Sequence, residues 1–301
     1  MRRSNVAFKS KIGRRIAFPS RNHNYLLSFF FFFVTIVQTL FSMMSRRRRR
    51  EPCAIEVANS KEDDEFLENY IQKSDGALTE WASTWRHPSS GIEYNLSLTR
   101  SALMSAGDLT ACLDMIDLTS RENYRNSSVG WDRDVKLKEM KSPDLRYILV
   151  KDDAGAIAAF TSLMPTYEEG QPVVYCYEIH LLDQVRGTGL GKLLLGYLFN
   201  AAANMPPVDK VMLSCFVANT GARAFYDKMG FETDDISPRS RKLRGGRTRE
   251  PDYLILSCAI GQRLRDQQAQ PPRGGGGASH DGHARGLAGE DRASRLDKVG
   301  K

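Results

Sequence analysis

The spacing of apolar and polar residues divides the middle of the chain into a readable series of elements. From Asp63, EFLENYIQ carries apolar residues at helical spacing and predicts an amphipathic helix, and Asp108 to Tyr124 predicts a longer one. GIEYNLSL, Gly91 to Leu98, alternates apolar and polar and predicts a first strand. Past the turn residues Ser142 to Asp144 come three strand segments in hairpin order: RYILV, AIAAFTSL after the DDAG turn, and PVVYCYEIHLL. A glycine-rich turn leads into a helix over Gly189 to Asn204, then strand KVMLSCF, a short helix over Gly221 to Lys228, and a last strand, YLILSC. Helices first, an antiparallel meander next and a strand–helix–strand crossover last describe an α+β fold. The sheet must be mixed, because the crossover joins parallel strands, and helices are expected on both faces.

The two ends break this pattern. Tyr25 to Met44 reads YLLSFFFFFVTIVQTLFSMM, long and apolar enough to cross a bilayer and flanked by basic residues. Three readings compete: a membrane anchor, a cleaved targeting segment, or a stretch absent from the working protein. The third is favoured, since Met43 and Met44 directly precede SRRRRREP and would serve as a start. A membrane contact is expected only if residues 25–44 are retained. From about Gln267 the chain is rich in Gly, Arg, Asp and Gln, with too few apolar residues to offset its chain entropy. The expected organisation is a basic and hydrophobic segment over 1–50, one domain over 51–262, and a disordered tail over 263–301.

The formal net charge is +7. Much of the excess lies near the amino terminus, in Arg46 to Arg50 and in Arg239 to Arg249, outside the predicted strands and helices. Runs of that kind are commonly solvated, so no direct nucleic-acid partner is expected. Cys53, Cys112, Cys176, Cys215 and Cys258 show no CxxC pair and no accompanying histidines, which argues against a zinc site and a disulfide framework. No metal is expected, and a reducing compartment fits.

The most informative residues are QVRGTGLGK, Gln184 to Lys192, which join a strand end, closely spaced glycines and an immediate helix. A helix amino terminus presents unpaired N–H groups and a positive dipole end, so a chain arriving through glycines brings donors against phosphate oxygens. Gly187, Gly189 and Gly191 remove obstructing side chains, while Arg186 and Lys192 supply counter-charge. A plain tight turn capping a core helix explains the same glycines. The run lacks the end of a Walker loop, and the preceding antiparallel meander does not suit a dinucleotide fingerprint.

Arg186, Gly187, Thr188, Gly189, Leu190 and Gly191 resemble the R-x-x-G-x-G turn of the GNAT acetyltransferase superfamily. AFYDKMGF, Ala224 to Phe231, is similar to that superfamily's second signature. Within it, VVYCYEIHLLDQVRGTGLGKLLL and KVMLSCFVANTGARAFYDKMGFETDDISP resemble the histone-directed N-alpha-acetyltransferases, with a weaker likeness in NYRNSSVGWDRDVKLKEM. The likeness covers most of residues 60–260. It implies the GNAT fold, acetyl-CoA as co-substrate, and histone tails that begin Ser-Gly-Arg-Gly as partners. A monomer in nucleus and cytoplasm is expected.

An α-ammonium must lose a proton before it attacks a thioester. Glu178, ending an apolar strand just ahead of the phosphate turn, is the candidate base, its basicity expected to be raised by desolvation. A strand-end Glu paired with a lysine is the alternative. The resemblance implies backbone contacts to the cofactor at Ile179, His180 and Leu181 and a contact at Asn219, which also suits a helix cap. His180 is the alternative base, though a surface histidine is expected. Tyr226 is a candidate acid for the leaving thiolate or a core aromatic. Tyr124, Thr166, Tyr167, Glu168, Tyr177, Ser214, Ser237 and Tyr253 match peptide-binding positions, with Glu168, Asp234 and Asp235 available to an arginine. Thr166 stands where the family often has Asp and Val129 where Trp is common, which shifts arginine recognition toward Glu168 and Glu169. Two other readings stay open: a GNAT enzyme acting on another terminus, a lysine or a small amine, and a membrane-tethered module that binds coenzyme A without turnover.

Overall fold

The meander predicted from Arg146 onward forms the centre of an eight-stranded mixed sheet. The computed structural model describes residues 51–72 and 79–261. The apolar stretch Tyr25 to Met44, the run Arg46 to Arg50 and the tail from Gln267 lie outside the described residues. In chain order the elements are α1 (Ala54–Ser60), α2 (Asp63–Phe66) running into a π-helical Leu67–Gln72, β1 (Thr84–Arg86), β2 (Glu93–Arg100), α3 (Ala106–Arg125) and α4 (Arg133–Met140). There follow β3 (Arg146–Lys151), β4 (Ile157–Glu168), β5 (Gln171–Leu181), α5 (Leu190–Ala203), β6 (Lys210–Phe216), α6 (Thr220–Lys228), β7 (Glu232–Thr233), β8 (Arg241–Lys242), β9 (Thr248–Arg249) and β10 (Tyr253–Ala259). The sheet order is β1-β2-β3-β4-β5-β6-β10-β7, antiparallel throughout except for the parallel pair β5–β6. The expected α+β arrangement is therefore observed. Helices α1 and α4 and the short strands β1, β7, β8 and β9 are additions to the predicted elements.

Helices cover both faces. On one, α5 packs against the sheet with Leu190, Leu194, Leu195 and Leu198 buried, while the amino-terminal segment closes over its other side through Phe66, Ile71 and Trp81. Burial on two sides explains why LGKLLLGYLFNAAA has no polar stripe. Gly196 makes the close crossing feasible, since a Cβ there would come within 2.1 Å of Thr79 Oγ1. On the opposite face α3 and α4 lie over Tyr147, Leu149, Phe160 and Met164. Ser105 caps α3 by accepting from the Asp108 amide at 3.0 Å, and Asp132 caps α4 through the Asp134 and Val135 amides. Arg146, fully buried on β3, donates to the Ala58, Asn59 and Lys61 carbonyls at the end of α1 and lies 4.1 Å from the Phe66 ring centroid. It satisfies acceptors that a helix end leaves open.

Two irregularities of β5 organise the centre. Its parallel ladder with β6 runs only from Val174/Val211 to Cys176/Leu213. Beyond that point β5 continues along β4 to Leu181 and β6 continues along β10 to Phe216, so the sheet opens into a seam. At the same level the β4–β5 register shifts: Ser162 faces Glu178 and Leu163 faces Cys176, leaving Tyr177 as an extra residue. Such a bulge exchanges the faces of all later side chains. Val174 and Cys176 pack on the α5 side, yet Ile179 and Leu181 do so too, and Glu178 and His180 face α3 and α4.

Candidate active site

Glu178 is buried beneath α4, one oxygen 2.9 Å from Lys136 Nζ and the other 2.6 Å from His180 Nε2. Lys136 is itself buried and also reaches Glu139 Oε1 at 3.0 Å, with its ammonium 5.0 Å from the Tyr124 ring centroid. His180 stacks on Phe160 and places Nδ1 2.6 Å from Thr119 Oγ1 on α3. Desolvation raises the Glu178 carboxyl, but the Lys136 charge and the His180 contacts outweigh it and hold the group at about 2. Two expectations are corrected here. Glu178 is not made more basic by burial; it is the lysine-paired carboxylate that was its alternative. His180 is not a surface residue: the bulge at Tyr177 turns it onto the α3–α4 face, where Thr119 and Phe160 cover it.

Lys136 itself escaped the sequence reading, although a signal for it exists. Asp132 caps the helix, and Lys136 and Met140, four residues apart, are the two buried positions of α4. A lysine on the core face of a short capped helix implies a buried anion opposite.

The phosphate turn takes the expected shape. Gly187 and Gly189 have φ of 73° and 90°, values that favour glycine, and a Cβ on either would meet nothing within 4 Å. Open space therefore lies before the head of α5, whose first amides are free of side-chain caps. These features fit a diphosphate group. Thr188 Oγ1 closes the turn by donating to the Val185 carbonyl at 2.6 Å, and Leu190 is buried as the first helical residue. Three of the residues assigned to the cofactor have contacts within the protein. Gly191 serves packing, since a Cβ there would lie 3.3 Å from the Phe225 ring. Arg186 is engaged by the Leu181 carbonyl at 2.9 Å and by Asp183 at 2.6 Å, so Lys192, exposed on the first turn of α5, is the nearer free counter-charge. Asn219 caps α6 by accepting from the Ala222 amide at 3.0 Å. Ile179, His180 and Leu181 form the part of β5 that runs past the end of its ladder with β6.

Tyr226, on α6, is buried among Phe225 and Phe231, and its hydroxyl has no hydrogen-bond partner among the described residues. Burial pushes its phenol well above the ordinary range, with Cys176, Cys215 and Glu178 acting in the same direction. Those neighbours set it at the seam between β5 and β6.

The residues assigned to peptide binding fall into two groups on the α3–α4 face. Tyr124 packs on Trp131 and Phe216, with centroids 5.2 and 4.8 Å away, and Tyr177 lies 5.2 Å from Tyr175. The Tyr175 hydroxyl is 2.7 Å from Ser214 Oγ, and Tyr253 packs beside Tyr175. Aromatic rings thus surround the end of the seam next to Glu178. In the second group, Thr166 is buried on β4, Tyr167 is exposed, and Glu168 precedes a two-residue turn of Glu169 and Gly170, both at positive φ. Burial raises the Glu168 carboxyl to about 7, with Glu169 adding to the effect. Asp234 is taken by Lys210 at 2.8 Å and so is not free for an arginine, while Ser237 Oγ accepts from the Ile255 amide at 3.0 Å. Cys112, Cys176, Cys215 and Cys258 are buried free thiols, and among the described residues no cluster suits a metal ion.

Residues 112–231 match the family model described as Acetyltransferase (GNAT) family. Over 160 residues the chain is 34% identical to N-alpha-acetyltransferase 40 of Saccharomyces cerevisiae, covering 44% of this chain and 55% of that protein. The chain thus spans about half the length of that curated relative. Among solved structures, the ribosomal-protein-S18-alanine N-acetyltransferase of Escherichia coli aligns with 17% identity and a TM-score of 0.38, over 55% of this chain and 94% of that one. Arabidopsis thaliana NAA60 in complex with acetyl-CoA aligns with 13% identity and a TM-score of 0.41, over 56% and 99%.

Proposed function

We propose that this chain, whose residues 112–231 form an acetyltransferase domain of the GNAT family with the GNAT fold, is an N-alpha-acetyltransferase. It moves acetyl from acetyl-CoA to the amino-terminal serine of histone H4 and of the core histone that shares its Ser-Gly-Arg-Gly start. The observation that carries the reading is the seam opening past Cys176 and Leu213, with the glycine turn of α5 after the end of β5 and the ionised Glu178 under an aromatic collar. The named yeast relative supports the N-alpha chemistry.

Within this reading the diphosphate rests on the amides at the head of α5, and the peptide enters from the α3–α4 side. Glu178, held at about 2, is a poor sink for the proton of an amine whose own pKa is near 8. It acts instead as a fixed negative charge that draws and orients the ammonium, whose proton leaves through water. The amine nitrogen then attacks the thioester carbonyl; the N–C bond forms, the C–S bond breaks, Tyr226 supplies a proton to the departing thiolate, and the proton shed by the acylated nitrogen passes through water to restore the phenol. Glu168 suits the arginine of the tail, because a cation next to it favours its ionised form. Histone tails as substrate make nucleus and cytoplasm the expected locations.

The test compares acetylation of a Ser-Gly-Arg-Gly peptide with the same peptide blocked at its amino group. Transfer to the free peptide alone, reduced at least a hundredfold by Glu178→Gln, is expected. Equal transfer to the blocked peptide would turn the assignment toward lysine acetylation.

A further inference from the structure

The basic run between Ser237 and Tyr253 folds into a hairpin, β8 and β9, whose strands are joined by Leu243 to Arg247. The Leu243 amide closes the tip by donating to the Arg247 carbonyl at 2.7 Å, with Gly245 and Gly246 at φ of 91° and 78°. Both legs are anchored: Ser237 binds the Ile255 amide at 3.0 Å, and Asp252 accepts from the Ser128 amide at 2.8 Å. The hairpin therefore projects at a set place beside the peptide-binding side of the seam.

Its charge is one-sided. Arg239, Arg241, Lys242, Arg244, Arg247 and Arg249 are all exposed, against Glu250, and none of the six makes an ion pair among the described residues. Arg241 and Arg249 are direct cross-strand partners. Opposed residues place their Cβ atoms about 5 Å apart, and like charges at that spacing oppose folding unless an anion lies between them. Charge count alone carries no inference about a partner; an anchored ribbon that sets two guanidinium groups side by side does. A duplex backbone offers phosphates in regular succession, and the major groove, about 12 Å wide, admits a two-stranded ribbon. Exposed Leu243 at the tip supplies an apolar contact between the cations.

We propose that the β8–β9 hairpin binds the phosphate backbone of double-stranded DNA. This stands apart from the acetyltransferase reading and does not depend on it. The test is fluorescence anisotropy of the full chain with a labelled 20-base-pair duplex between 50 and 200 mM KCl, wild type against the Arg241→Ala/Arg249→Ala variant. The Arg46 to Arg50 run is present in both proteins, so the hairpin's share is the difference between them. Loss of two phosphate contacts is expected to weaken binding at least tenfold and to flatten the slope of log K against log salt by about 2. Unchanged thermal unfolding of the variant would keep that loss assignable to the hairpin. Equal affinity and equal slope for both proteins would overturn the proposal, as would tighter binding to polyglutamate than to the duplex, which would make the partner an acidic protein.

Discussion

Lys136 Nζ stands 2.9 Å from Glu178 Oε1, with both side chains almost wholly withdrawn from solvent. Neither charge is tolerable there alone, so removing one strands the other. Lys136→Met is expected to cost about 3–5 kcal/mol at pH 7. The pH dependence has a definite sign. Glu178 sits at about 2 in the folded chain against an ordinary 4.5, so its contribution is complete above 4.5 and is lost as pH falls toward 2. Denaturant unfolding of wild type and variant should therefore show a gap that closes over that window, and a gap independent of pH would refute the pairing.

Gly189 separates the two explanations of the glycine turn. Alanine at φ of 90° is strained by about 1–2 kcal/mol, yet its Cβ touches nothing in the free protein. If the space is a diphosphate site, Gly189→Ala should weaken coenzyme A binding by tenfold or more in calorimetry, beyond its small effect on melting. Gly191→Ala meets Phe225 instead and should disturb packing more than coenzyme A binding. Equal coenzyme A affinity for wild type and Gly189→Ala would reduce the turn to a helix cap.

Much of this architecture was legible because the driving forces are local. Alternation marks β2, short continuous apolar runs mark β3 and β6, and the continuous apolar face of α5 marks a helix whatever it packs on. Glu178 was legible as a charge in an apolar strand. Its partners were not, because the bulge at Tyr177 depends on how β5 pairs with β4. Strict alternation would send Glu178 to the same face as Cys176, away from Lys136. Helix α1 went unseen since only Ile55 and Ala58 of its seven residues are buried, and β1 has three residues. Both are held by tertiary contacts, α1 by Arg146 on its carbonyls and β1 by its pairing with β2.

Glu168 predicts how substrate preference varies with pH. Its carboxyl is raised to about 7 by burial and by Glu169, so it is largely neutral below that point and charged above it. The KM for a Ser-Gly-Arg-Gly peptide should fall as pH rises through 7, whereas a Ser-Gly-Gly-Gly peptide reports only the titration of its amine. A raised carboxyl also means that the folded state resists ionisation, a penalty that grows from pH 4.5 and is complete above 7. Glu168→Gln should accordingly stabilise the protein at pH 8 by about 1–2 kcal/mol, solvent screening at the hairpin reducing the effect. Parallel KM profiles for the two peptides would remove Glu168 from arginine recognition.

Tyr226 allows chemistry to be separated from stability. The ring is buried and its hydroxyl makes no hydrogen bond among the described residues, so deleting the hydroxyl removes no bond. Tyr226→Phe should therefore melt within about 1 kcal/mol of wild type, a clean background for kinetics. As the proton donor to a thiolate leaving group, the phenol is expected to contribute about a hundredfold to kcat with KM nearly unchanged. Because burial and the neighbouring Cys176, Cys215 and Glu178 push its pKa well above 10, it stays protonated through the working range. The alkaline side of the kcat profile should then show no fall attributable to Tyr226 below pH 10. Full activity in the phenylalanine variant would make Tyr226 a packing residue of the seam and pass the proton to water.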